Sequence, residues 1–193
     1  MNSIEDILPY LPAGIPSAFD IYKKSHQMYL ENNLNAAKKY QQLNYLLHSS
    51  VIYFDCKMGD GISFAYGGIG TVIHRNAIID DFCVLGTNIT IGGKSGGKEK
   101  NIDNSLVPQL GKYVVVSTGS KILGGISIGC FSIIGANSVI TKSIEPFSIV
   151  VGNNKIIGHI NEEKLLEMKS SWTCFKNKSE DEILKIFRKF YTN

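Results

Sequence analysis

An aliphatic residue recurs at every sixth position through the middle of the chain: Ile73, Ile79, Leu85 and Ile91, then, after an interruption, Leu110, Val116, Ile122, Ile128, Ile134 and Ile140. The next residue is small or turn-tolerant at most rungs, namely Asp80, Gly86, Gly92, Gly111, Ser117, Gly129 and Gly135. Four positions after a rung the residue is usually small or β-branched: Ala77, Cys83, Ile89, Val114, Ser120, Ser132 and Ser138. This period fits neither an amphipathic helix nor a half-buried strand. It fits a triangular coil in which each hexapeptide makes one short strand and one corner, with the rung aliphatic inside and glycine easing the corner. Three hexapeptides close a coil, so residues 18 apart stack at the strand spacing of ~4.8 Å. The pattern does not fix the hand of the coil.

The flanks carry helical spacing. Residues 17–31 and 34–48 place Ala18, Ile21, Tyr22, Met28, Tyr29, Ala36, Tyr40, Leu43 and Leu47 on apolar faces, with Ser17 and Asp20 at the start. At the far end Ser179 to Glu182 reads as a capping box ahead of Ile183, Leu184, Phe187 and Phe190. The chain divides into a helical segment at 1–50, a β-helix at 51–157 and a helical tail at 158–193. Two irregularities break the ladder: the stretch 65–70 (AYGGIG), where Phe64 to Ile73 is nine residues, and the polar, glycine-rich insertion 93–109, expected to protrude.

Composition narrows the function classes. The 193 residues carry a net charge of +3, too mild to argue for nucleic acid. No stretch approaches a membrane span, and the start lacks the basic-then-apolar pattern of a signal peptide. The cysteines, Cys56, Cys83, Cys130 and Cys174, are scattered, which favours a reducing compartment without a zinc site. The expected location is cytoplasmic. Of the four histidines, His26 and His48 belong to the N-terminal helices and His159 lies beyond the coils, leaving His74 in the prism. Metal-dependent β-helix chemistry needs about three converging histidines, so no metal is expected.

The run ILGGISIGCFSIIGANSVITKSIEPFSIVVGNNKII at 122–157 resembles the C-terminal coils of the serine acetyltransferase and sugar O-acetyltransferase group. The upstream GTVIHRNAIIDDFCVLGTNITIGGKSGG resembles the same group's coil and protruding loop. The resemblance implies a left-handed parallel β-helix, a homotrimer, and an active site in each groove between neighbouring prisms. There acetyl-CoA lies beside the loop and a histidine acts as general base on an acceptor hydroxyl. It further implies an acetyl-CoA-dependent O-acetyltransferase, whose expected acceptor is a sugar hydroxyl of a surface polysaccharide or its precursor. A non-catalytic trimeric scaffold of the same fold is the alternative.

The departures from the family pattern decide the candidates. The position of the family's catalytic histidine holds Tyr66, that of the preceding aspartate Ala65, and that of the second histidine Val107. The terminal GxPAK is shortened to Gly152, Asn153, Asn154 and Lys155. His74 is the expected base in its place, because its pKa is suited to the task and one coil step sets it beneath Gly92 at the loop. Failing that, the base lies on a flanking helix (His26 or His48) or on the substrate. Tyr66, with an ordinary pKa near ~10, is expected to position the acceptor. Ser117, Thr118 and Gly119, and 18 residues on Gly135, Ala136 and Asn137, form stacked corners expected to pair with the pantetheine arm. Lys142 and Lys155 are placed by the resemblance near the nucleotide phosphates. The loop lysines Lys94, Lys98 and Lys100 attract anions or solvate the loop.

Overall fold

Each hexapeptide rung is realised as a strand of two or three residues, and the strands stack into three parallel sheets. The first face holds Val51–Ile52, Val72–Ile73, Thr90–Gly92, Lys121–Leu123 and Val139–Ile140. The second holds Lys57–Met58, Ile78–Ile79, Gln109–Leu110 and Ser127–Ile128. The third holds Ser63–Phe64, Val84–Leu85, Val115–Val116, Ile133–Ile134 and Ser148–Val151, and ends in the antiparallel strand Lys155–His159. This computed structural model describes residues 14–94, 96, 100–101 and 104–191.

Register records both irregularities. Ile73 pairs with Ile91 and Ile122 with Ile140, the regular coil step. Val51 instead pairs with Val72 and Thr90 with Lys121, so the extra residues of 65–70 and of the loop are looped out without disturbing the sheet. The rungs Ile73, Ile79, Leu85, Ile91, Leu110, Val116, Ile122, Ile128, Ile134 and Ile140 are all at most 1% exposed. Each such burial stabilises by roughly 1.5–3 kcal/mol, which is why the ladder dictates the coil.

The corners define three edges. The first edge joins the third face to the first through 65–71, 86–89, 117–120 and 135–138. The second joins the first face to the second through 74–77, the loop, 124–126 and 141–143. The third joins the second face to the third.

Helices α1 (Ala18–Leu30) and α2 (Leu34–His48) pack on the first coil. Ser17 caps α1 by accepting from the Asp20 amide at 3.2 Å, and Asn33 caps α2 by accepting from Ala36 at 3.1 Å. Ala18, Phe19 and Tyr22 enter the prism core, and the Tyr22 hydroxyl donates to the Cys56 carbonyl at 2.7 Å.

The tail covers the third edge and face. Phe82, Tyr113, Phe131 and Phe147 occupy equivalent corners, all with φ between 56° and 63°. Their rings stack at 5.0, 4.5 and 6.0 Å. Helices α3 (Glu162–Glu167) and α4 (Glu180–Tyr191) cover this ladder with Leu165, Ile183 and Phe187. The Trp172 indole donates to the Tyr113 carbonyl at 2.6 Å. The capping box forms: the Glu182 amide donates to Ser179 Oγ at 3.3 Å, and the Ser179 amide donates to the Glu182 carboxylate at 2.7 Å. On the same edge Lys112 bridges to Asp81 at 2.7 Å, and this hydrogen bond holds the Asp81 carboxyl below the usual aspartate range. Burial pushes the Cys56 thiol up to about 12.

Candidate functional site

The first edge gathers Tyr66 and the two corner triplets. In the 65–70 irregularity Tyr66 adopts φ 50°, ψ 38° and is 86% exposed. The left-handed region costs a side-chain-bearing residue roughly 1–2 kcal/mol, so the corner needs outside support. Buried Ser50 supplies it: its hydroxyl donates to the Gly68 carbonyl at 2.6 Å and accepts from the Thr71 amide at 2.9 Å. The His48 carbonyl, at the end of α2, accepts from the Gly70 amide at 2.9 Å.

Above Tyr66 the edge narrows into small residues. Ser117, Thr118 and Gly119 lie directly under Gly135, Ala136 and Asn137, joined by the Asn137 amide donating to the Thr118 carbonyl at 2.9 Å. Gly119 has φ 74°, a left-handed conformation that favours glycine, and a Cβ there would displace the Asn137 side chain, whose Oδ1 would lie 2.0 Å away. Thr118, Ala136 and Asn137 are exposed, and the hydroxyls of Thr87 and Thr118 hydrogen-bond along the edge. The result is a low-relief strip of backbone, amides and hydroxyls, suited to lying against an extended polar chain.

His74 is on the second edge. Its amide donates to the Ile91 carbonyl at 2.9 Å, and its Cβ lies beneath Gly92, at the root of the loop. Tyr66 and His74 thus occupy different edges of one coil, with the first face between them. The Asn76 amide donates to His74 Nδ1 at 3.2 Å, so the neutral ring carries its hydrogen on Nε2 and presents a donor outward. Its neighbour Arg75 pairs with Asp55. At the loop base, buried Asn101 donates to the Val107 carbonyl and accepts from the Ser105 amide, both at 2.9 Å.

Lys142 is also on the second edge, at its last corner, and Lys155 begins the return strand; both are exposed. The shortened terminal turn is held by Asn154, which accepts from the Thr141 and Lys142 amides at 2.8 and 3.1 Å. Lys94 and Lys100 are exposed, and Lys98 lies outside the described residues.

A cavity of about 550 Å³ lies elsewhere, between α1, the first coil and the tail, lined by Phe19, Phe64, Phe82 and Cys174 among others. Neither Tyr66, His74 nor the corner triplets line it. Among the described residues no three His, Cys, Asp or Glu side chains converge as a metal set, and no helix is long and apolar enough to cross a membrane. Sequence reasoning gave Ser50 no role. Its signal is slight: one serine between a helix end and the first strand, facing an irregular corner.

No protein-family model matches the chain. Among curated proteins it is 34% identical to the serine acetyltransferase of Staphylococcus epidermidis over 159 residues, 82% of this chain and 69% of that protein. Among solved structures it resembles a serine acetyltransferase in complex with cysteine at TM-score 0.68 and 25% identity, over 80% of this chain and 58% of that one. It resembles the Brucella abortus serine acetyltransferase in complex with coenzyme A at TM-score 0.67 and 26% identity, over 75% of this chain and 56% of that one. The chain thus spans under two thirds of the length of these solved structures. The shared fold is the left-handed parallel β-helix.

Proposed function

This chain belongs to the serine acetyltransferase family of acyl-CoA-dependent acetyltransferases, and we propose that it moves an acetyl group from acetyl-CoA to the hydroxyl of a small acceptor. The observation that carries the reading is the strip of stacked corners on the first edge. Ser117, Thr118, Gly119, Gly135, Ala136 and Asn137 form a strip with little side-chain relief. The amides of Ser117, Gly119, Gly135 and Asn137 are spent on the coil itself, so a pantetheine arm would meet the strip at the exposed Thr118, Ala136 and Asn137. Lys142 and Lys155 stand at the end of the prism where the nucleotide phosphates of such a ligand would lie.

The working unit is a homotrimer. The tail covers the third edge of its own prism, leaving the first face and its two edges for neighbours. Parallel packing around a threefold axis sets the first edge of one copy against the second edge of the next. Tyr66 of one copy then faces the loop and His74 of another, and the protein's two dispersed candidates share a groove. Tyr66 orients the acceptor through its phenol, while the His74 Nε2–H supplies a hydrogen bond to it or to the thioester.

The acceptor to try first is L-serine, because the matched relatives carry it in their name. Nothing in the comparisons supports a surface polysaccharide. A non-catalytic scaffold is the second reading, and Tyr66 in place of the family's histidine favours it. The test is thiol release from acetyl-CoA against serine, other hydroxy acids and a sugar panel. Turnover with one acceptor class and trimeric sedimentation establish the enzyme. CoA binding without turnover on any acceptor establishes the scaffold.

A further inference from the structure

We propose that the acceptor is an anion without an ammonium group, its carboxylate or phosphate held by Lys121; the assignment rests on the acetyltransferase reading above. Lys121 is the one charged residue on the strands of the first face, where it stacks between Thr90 and Val139. It is half-buried, and its Nζ donates to the Asn88 carbonyl at 2.6 Å. Among the described residues no carboxylate pairs with it. An ammonium has three N–H donors, so two remain for a ligand.

The bond to Asn88 fixes where that charge lies. The Asn88 corner rests on the Tyr66 corner, with the Asn88 amide donating to the Ile69 carbonyl at 2.8 Å. The Thr118 corner rests on it in turn, with the Gly119 amide donating to the Thr87 carbonyl at 2.9 Å. Lys121 therefore places its ammonium at the step between Tyr66 and the strip that receives the pantetheine arm. With the nucleotide beside Lys142 and Lys155 at the far end, the thioester end of the arm comes down to this step, next to the acceptor.

The surroundings supply no free negative charge. The first face and the first-edge corners 65–71, 86–89, 117–120 and 135–138 contain no aspartate or glutamate, and helix α2 adds none. On the second edge, its first corner 53–56 included, the described residues hold one acid, Asp55. Arg75 Nε and Nη2 both donate to Asp55 Oδ2, and Oδ1 is buried. The loop's Glu99 and Asp103 lie outside the described residues. Lys94 and Lys100 of the loop and Lys142 above it are exposed, so the described groove is positive.

This pattern sorts acceptors by the charge they carry. A carboxylate or phosphate oxygen gains a charge-assisted hydrogen bond from Lys121, stronger than one between neutral groups. An ammonium group would leave water for a groove of its own sign, with no carboxylate to replace its hydration. Of the two charges on L-serine, the groove is matched to the negative one alone.

Thiol release from acetyl-CoA with matched acceptors separates the two charges. 3-Hydroxypropanoate is L-serine without its ammonium, and 2-aminoethanol is L-serine without its carboxylate. Glycerol 3-phosphate and glycerol differ by the anion. The kcat/KM for each is measured on wild type, Lys121→Met, Lys121→Arg and, as a surface control, Lys185→Met, with CoA affinity and sedimentation in parallel. In wild type the best acceptor should be 3-hydroxypropanoate or glycerol 3-phosphate, and the winner identifies the anionic group as carboxylate or phosphate. Lys121→Met should lose roughly 10–100-fold in kcat/KM for that anion, the worth of one hydrogen bond to a charged group, at unchanged CoA affinity. Lys121→Arg should recover most of the loss, and Lys185→Met should show none. L-serine, 2-aminoethanol or glycerol as the best acceptor overturns the proposal and leaves the acetyltransferase reading standing. So does Lys121→Met within about twofold of wild type on the preferred anion. Wild type that releases no thiol with any of these acceptors or with the sugar panel sinks the parent reading and this one with it.

Discussion

Phe131 sits at the centre of the aromatic ladder, fully buried, and its replacement by alanine tests whether tail and coil are one unit. Its ring meets Tyr113 at 4.5 Å, Phe147 and Trp172 at 6.0 Å, Phe187 at 5.1 Å and Phe190 at 5.4 Å. Two of these partners belong to the coil corners and three to the tail. A buried Phe→Ala change costs about 3–5 kcal/mol, cavity included. The favourable ring geometry, worth ~0.5–1.5 kcal/mol per aromatic pair in isolation, argues for the upper half of that range. Set against a typical domain stability of ~5–15 kcal/mol, the loss is large. With a urea slope near the upper end of the usual ~1–3 kcal/mol/M, the midpoint falls by about 1–2 M. The assay is built into the chain, because Trp172 is its single tryptophan and is fully buried against this ladder. In wild type, Trp172 emission and far-ultraviolet circular dichroism should report one coincident transition. In Phe131→Ala the emission should change first, because the tail loses its seat while the aliphatic prism persists. A midpoint within about 0.3 M of wild type by both probes would refute the claim that the ladder anchors the tail.

Three further outcomes are expected. Ala136→Trp should raise the KM for acetyl-CoA well beyond any effect of Lys185→Trp on the exposed side of α4; equal small effects would count against the first-edge strip. Tyr66→Phe should lower kcat/KM for the acceptor by roughly tenfold, the worth of one hydrogen bond, while leaving CoA affinity alone. The Asp81 carboxyl is depressed by the Lys112 hydrogen bond, so its stabilisation is fully present above the ordinary aspartate pKa of ~4 and fades as pH falls through the lower folded value. Lys112→Met should therefore flatten the acid limb of the stability curve below about pH 4, and an unchanged limb would show that the pair does not contribute.

The prism was legible because its signal is redundant. Ten rungs repeat one constraint, and each is met by a side chain at most 1% exposed. The stacking of His74 under Gly92, and of Gly119 under Asn137, follows from the same count. What a six-residue period does not carry is the direction in which a corner faces. Tyr66 and His74 are close in sequence, yet the strand Val72–Ile73 between them turns the chain from one edge to the next. Ring chemistry was equally out of reach: a histidine becomes a donor or an acceptor through its neighbours, here the Asn76 amide at His74 and the Pro16 carbonyl at His48. The tail's path was hidden for a related reason. Phe82, Tyr113, Phe131 and Phe147 read singly as large residues at corners, and only their vertical stacking makes an apolar surface that a helix can cover.

The antiparallel strand Lys155–His159 has a consequence for the protein in bulk. A stack of parallel coils is a template, since the last rung offers the same unpaired amides and carbonyls that every earlier rung used to bind its successor. A copy docking there in register would extend the solenoid, and repetition would give a fibre. Here the chain doubles back on Ser148–Val151 with a register shift at Ile149 and Val150, replacing the parallel ladder on the third face with one of opposite polarity. Helices α1 and α2 cover the first coil at the opposite end. The repeat that makes the fold easy to build is thereby stopped from building more of itself.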